Sequence, residues 1–98
     1  MQYSVILPTL NENGHISSLI FDIEKVLKFN KKVFEIIIVD DNSTDGTIDT
    51  VKALVQQNNN LKLTIRTNLK KNLAESINLG VKLAKYENII WMDAFSVG

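Results

Sequence analysis

The richest stretch of chemistry in the chain is Val39-Asp40-Asp41-Asn42-Ser43-Thr44-Asp45-Gly46-Thr47. Asp40 and Asp41 follow the apolar run Phe34 to Val39, and two adjacent carboxylates repel each other unless a donor or a cation engages them. Carboxylates at such a place suit the ribose hydroxyls or base N–H groups of a nucleotide, a use that acidic residues after strands serve in other α/β folds. The same loop holds ordinary capping chemistry, since Thr44 or Asp45 can cap the next helix and Gly46 relaxes the turn. A second stretch, Pro8-Thr9-Leu10-Asn11-Glu12, sets a φ-locked residue at a strand end and an acid four residues later. Its stiff backbone can frame a flat base, while Asn11 to Asn13 are equally suited to capping a helix. The third, Met92-Asp93-Ala94, ends an apolar run with a carboxylate able to meet a ribose or a divalent ion holding a diphosphate. Arg66, Lys70 and Lys71 are candidates for phosphate contacts, against the plainer reading of a solvated loop. His15 is the single histidine, so a surface place in a helix's first turn is expected rather than a metal site.

Elements must hold these stretches in place, and the apolar pattern says which. Residues 3–7 are a β-rich run, broken by Asn11-Glu12-Asn13-Gly14 before Ile16, Leu19, Ile20, Ile23, Val26 and Leu27 follow helical spacing. Residues 34–39 read as a strand covered on both faces. A helix with Ile48, Val51, Leu54 and Val55 on one side follows, and Gln56 to Asn60 connects it to the alternating Leu61, Leu63 and Ile65. Leu73, Ile77, Val81 and Ala84 make a third helical stripe, and Ile89-Ile90-Trp91-Met92 a fourth strand, with Trp91 and the stripes assigned to the core. The order is βαβαβαβ. It implies a mainly parallel α/β sheet with right-handed crossovers, whose ligands bind at the carboxyl ends of the strands. The loops beginning at Pro8, Asp40 and Asp93 all start at that edge.

Composition narrows the field. The chain has 98 residues, 45% of them hydrophobic, with one proline and four glycines, which fits a single compact unit over residues 1–98. Its 11 basic and 11 acidic residues cancel, so no net field draws it to nucleic acid, and no nucleic-acid partner is expected. Cysteine is absent, which excludes disulfides and thiol chemistry and suits a cytoplasmic place or the cytoplasmic face of a membrane. No run approaches the roughly 20 apolar residues of a membrane span, so no transmembrane segment is expected.

Together, Pro8-Thr9-Leu10-Asn11-Glu12, the Val39 to Thr47 stretch and Met92-Asp93-Ala94 resemble family 2 glycosyltransferases, particularly the polyprenol-phosphate (dolichyl-phosphate) mannosyltransferase branch. The resemblance runs from about residue 3 to Ala94 and implies the Rossmann-like, nucleotide-sugar-binding half of a GT-A fold. It further implies inverting, metal-dependent transfer of a hexose from a GDP- or UDP-sugar to an acceptor such as polyprenyl phosphate or a glycan. By it, Pro8, Leu10 and Glu12 would line base and ribose, Val39 and Asp41 would contact the base, and Asp93 and Ala94 would take ribose and diphosphate. Asp93 would also be a ligand of Mg²⁺ or Mn²⁺.

Two departures accompany the match. Arg66 and Asn72-Leu73-Ala74-Glu75-Ser76 stand where the family has a basic residue and Gly-Leu-Gly, and both glycines, which permit close backbone approach to phosphate, are replaced. Where the family reads Asp-x-Asp, this chain reads Asp93-Ala94-Phe95, and phenylalanine cannot ligate a metal. Phe95 to Gly98 is accordingly expected to be a tail left by a frameshift, split gene or truncation, with the acceptor half and its general base missing and the chain inactive alone. Two other readings stand beside this one. A non-catalytic nucleotide-binding module would use the Asp40-Asp41 loop without turnover. A phospho-acceptor receiver domain shares the acidic pair and Asp93, but here a strand and helix precede the pair and no Met-Pro follows Asp93.

Overall fold

A computed structural model describes residues 1–58, 60–68 and 72–92. Four strands and three helices alternate: β1 (Gln2–Thr9), α1 (Ile16–Phe29), β2 (Val33–Asp40), α2 (Thr47–Gln57), β3 (Leu63–Thr67), α3 (Leu73–Leu83) and β4 (Asn88–Trp91). All neighbouring strands are parallel, in the spatial order β3-β2-β1-β4. The chain steps outward from β1 to β3, then crosses back to lay β4 on the other side of β1. In open α/β sheets such a reversal of strand order, outside the carboxyl ends of the strands, is where ligands are generally held.

The strand period of two sorts β1 and β2 into faces. Val5, Leu7, Ile36 and Ile38 pack with Ile16, Ile20, Ile23 and Val51 of α1 and α2. Ile6, Ile37 and Val39 face the other way, against Leu79, Leu83 and Ala84 at α3. Ile6, Leu7 and Ile36 to Val39 are at most 0% exposed, which explains the near-continuous apolar run of β2: helices cover it on both sides.

Two expectations need correction. The expected α3 stripe holds only in part: Ala84 packs against the core, but Leu73 and Val81 are exposed while Ser76 and Gly80 are buried. Gly80 is the reason: a Cβ there would lie 2.5 Å from Cγ2 of Ile6, so the helix sits on the sheet through its smallest residue. Trp91 is not core either. It is 48% exposed because β4 is an outer strand with no neighbour beyond it among the described residues. Val26 is likewise exposed, at the rim of α1.

Candidate functional site

The site is built where two loops leave adjacent parallel strands. Pro8 pairs in register with Val39, and Thr9 with Asp40, so the β1–α1 and β2–α2 loops start side by side. Of the two uses the sequence offers for Asn11 to Asn13, capping α1 is not the one seen: α1 has His15 at its N-cap and no side-chain cap bond. The loops are joined to each other instead. Asn11 N–H donates to Ser43 Oγ at 2.8 Å and Thr44 N–H to Asn11 Oδ1 at 2.8 Å. Glu12 N–H donates to Thr47 Oγ1 at 2.9 Å, and Asn13 N–H to Asp45 Oδ2 at 2.9 Å. Thr50 Oγ1 closes the seam by donating to Asn13 Oδ1. Asn11 and Asn42 accept positive φ, 53° and 64°, which asparagine tolerates better than most residues, and Gly46 sits at 90° before α2.

The paired carboxylates divide. Asp40 is 1% exposed and fully engaged: Oδ1 accepts from Thr9 Oγ1 (2.7 Å) and Ser43 Oγ (2.6 Å), and Oδ2 from Ser43 N–H (2.7 Å). Its charge is spent on holding the seam. Asp41 anchors only by its backbone, N–H to Thr9 C=O at 2.9 Å, and its Oδ1 is buried without a hydrogen-bond partner. Buried carboxylate oxygens are normally satisfied, so this one has room for a donor from water or a ligand. Asp45 works one residue ahead of the helix cap. Its Oδ1 accepts from Thr47 N–H (3.0 Å) and from the Thr47 hydroxyl. The Thr47 hydroxyl bond, joined by the Asn13 and Thr47 backbone N–H groups, holds the Asp45 carboxyl below its ordinary value of 3.8.

Glu12 was expected at this edge and is there, 3% exposed. Its carboxylate Oε2 lies 2.9 Å from Nε2 of His15. His15 therefore does more than occupy the surface of a first turn. Pro8 and Val39 are both buried, so each offers backbone rather than side chain, while Leu10 is half-buried at the loop's start. Ile6 C=O accepts from Met92 N–H at 3.2 Å, so the even-numbered residues of β1 turn their backbone groups towards β4.

The remaining candidates fall elsewhere. Arg66 is exposed on β3 and donates Nη1–H to its own neighbour's carbonyl, Ile65 C=O, at 2.8 Å. Asn72 caps α3, its side chain accepting from Ala74 and Glu75 N–H groups. Lys70, Lys71, Asp93, Ala94 and Phe95 lie outside the described residues. Among the described residues no group of three His, Cys, Asp or Glu side chains is placed to hold a metal ion. No described helix is long and apolar enough to cross a membrane. Sequence reasoning missed Asn11, Asn13, Ser43 and Thr47 as the seam. Each reads as a loop residue alone, and only the strand register shows that they face each other.

Comparison with known proteins follows this geometry. The model of the family described as glycosyl transferase family 2 matches residues 4–94. A dolichol-phosphate mannosyltransferase of Saccharomyces cerevisiae is 35% identical over 96 residues, covering 96% of this chain and 35% of the relative. Among solved structures, the mannosyltransferase PcManGT from Pyrobaculum calidifontis, in complex with GDP-Man and Mn²⁺, superposes with a TM-score of 0.83 at 29% identity, over 94% of this chain and 27% of that one. S. aureus TarS 1-349 in complex with UDP-GlcNAc superposes with a TM-score of 0.73 at 29% identity, over 96% and 26%. The chain spans about a third of the length of the curated mannosyltransferases it matches.

Proposed function

The chain belongs to glycosyl transferase family 2, and from that premise we propose that its two-loop site binds the nucleotide of a GDP- or UDP-sugar donor. The observation that carries this reading is Asp41 Oδ1, a buried carboxylate oxygen without a partner beside a seam in which Asp40 is fully bonded. A base N–H or ribose hydroxyl supplies the missing donor. In the proposal Pro8, Leu10 and Val39 frame the base, Asp41 accepts from it, and Glu12 meets the ribose, while Asp93 and Ala94 continue towards the diphosphate.

The work of these residues is recognition. The joined loops hold the nucleoside at the carboxyl ends of β1 and β2, so that binding energy fixes the position of the sugar's reacting carbon. The larger activity proposed is inverting transfer of a hexose to polyprenyl phosphate or a glycan, in the cytoplasm or at the cytoplasmic face of a membrane. Mg²⁺ or Mn²⁺ would neutralise the departing diphosphate in such a reaction, though among the described residues no three His, Cys, Asp or Glu side chains are grouped to hold one.

Calorimetric titration with GDP-mannose and UDP-GlcNAc tests the reading. Wild type is expected to bind one of them, and Asp41→Asn to bind it about tenfold or more weakly, the scale of a lost charge-assisted bond. Equal binding by Asp41→Asn, or no binding by wild type, overturns it.

A further inference from the structure

Glu12 is held in place by more than its loop. Its N–H donates to Thr47 Oγ1, and its C=O accepts from His15 N–H (3.1 Å) and Ile16 N–H (2.9 Å). With the backbone fixed at both ends, the side-chain torsions are left to set, and His15 Nε2 meets the carboxylate Oε2 at 2.9 Å. The His15 backbone is itself locked: its C=O accepts from Leu19 N–H at 3.0 Å and from Ser18 Oγ at 3.1 Å. Its imidazole sits at the N-cap of α1 without making a side-chain cap bond, turned back instead to the carboxylate. The side chain of Glu12 is 4% exposed and that of His15 32%, so the pair runs from the seam to solvent.

We propose that His15 is a positioning residue, which donates Nε2–H to Glu12 and so aims that carboxylate at a ribose hydroxyl of the bound nucleotide. The inference rests on the donor-binding reading above. A buried carboxylate that accepts one fixed bond has a defined rotamer, and its other oxygen has a defined direction. His15 thereby governs how strongly the site distinguishes a ribonucleotide from a deoxyribonucleotide. Affinity for the base is left to the β1 and β2 strand ends.

Titration of the full chain with GDP, UDP and their 2′-deoxy and 3′-deoxy forms, in wild type, His15→Leu and His15→Gln, tests this. Wild type is expected to prefer the ribonucleotide over one deoxy form. His15→Leu should lose about 3- to 10-fold in ribonucleotide affinity, the range of one hydrogen bond, and lose the preference with it. Affinity for that deoxy form should hardly change. His15→Gln, which keeps a donor near the Nε2 position, should restore both values, a recovery that a merely structural role would not give. His15→Asn, too short to reach Glu12, replaces the leucine variant if that variant does not fold.

A ligand-free measurement separates the two levels of the argument. The chain has one histidine, so its imidazole ¹⁵N signals are unambiguous. They should report a protonated Nε2 that shifts in Glu12→Gln. An unprotonated Nε2, or a leucine variant with wild-type affinity and preference, overturns the role of His15 alone. A wild type that binds neither GDP nor UDP while the Glu12→Gln shift is present overturns the donor-binding reading, and this inference with it.

Discussion

Asp40 and Asp41 share a side chain and a loop but not a task. Asp40 accepts three hydrogen bonds while buried, so Asp40→Ala leaves Thr9 and Ser43 with unpaired donors and is expected to cost about 3 kcal/mol, read as a lower urea midpoint. Asp41→Asn should leave that midpoint within about 0.5 kcal/mol of wild type, because no side-chain bond of Asp41 supports the seam. Stability and binding should therefore separate across two adjacent residues. Asp45 gives the pH dependence. Its carboxyl titrates below 3.8 in the folded chain, chiefly through the Thr47 hydroxyl, so its stabilisation is fully present above the unfolded value and is lost as pH falls through the folded one. The difference in unfolding midpoint between wild type and Asp45→Asn should be constant from neutral pH to about pH 5 and close on going towards pH 2. A gap that widened in acid would contradict the assignment. The sequence showed that acids stand at this edge. It did not show which was structural, because that depends on Thr9, some thirty residues away, lying beside Asp40 in the sheet.

Among the elements, α3 carries the sharpest consequence of packing. Counting large apolar residues selects Leu73, Ile77 and Val81, whereas the helix meets the sheet through Ser76, Leu79, Gly80 and Leu83. Small residues at a close helix–sheet contact do not register in an apolar count, so the phase was wrong although the helix was right. Gly80→Ala forces its new methyl into Ile6, a side chain that is 0% exposed and has no room to yield. Overpacking at about 1–3 kcal/mol then outweighs the roughly 1 kcal/mol that alanine gains as a helix former. The variant is expected to lose about 1 kcal/mol net, read by thermal or urea unfolding, and Gly80→Val more. At the start of the same helix, Asn72→Ala removes the acceptor for two N–H groups and should cost about 1 kcal/mol. Asn68 links this cap to the sheet, its N–H donating to Asp40 C=O at 2.7 Å and its Nδ2 to Ser76 Oγ at 2.9 Å.

At the scale of the molecule, the described residues leave both sheet faces partly uncovered at β4. On one, Val5, Leu19, Ile23, Val26, Leu27, Ile90 and Met92, with Asp22 beside them, line a mainly apolar groove of about 330 Å³. On the other, Ile89 and Trp91 are exposed. Apolar surface at a strand that is outermost among the described residues favours association, so sedimentation should show concentration-dependent self-association that Val26→Glu reduces. A chain that sediments as a monomer at every concentration would count against this. The sequence by itself determined the βαβαβαβ order, the parallel sheet and the family, because strand and helix periods and short motifs are local properties. Tertiary structure decided that β4 returns beside β1, that Trp91 lies at the rim, that Gly80 sets the helix on the sheet, and that Asp40 holds the seam while His15 grips Glu12. Each of those depends on which distant residues the β3-β2-β1-β4 order brings side by side, and no spacing along the chain encodes a register between strands.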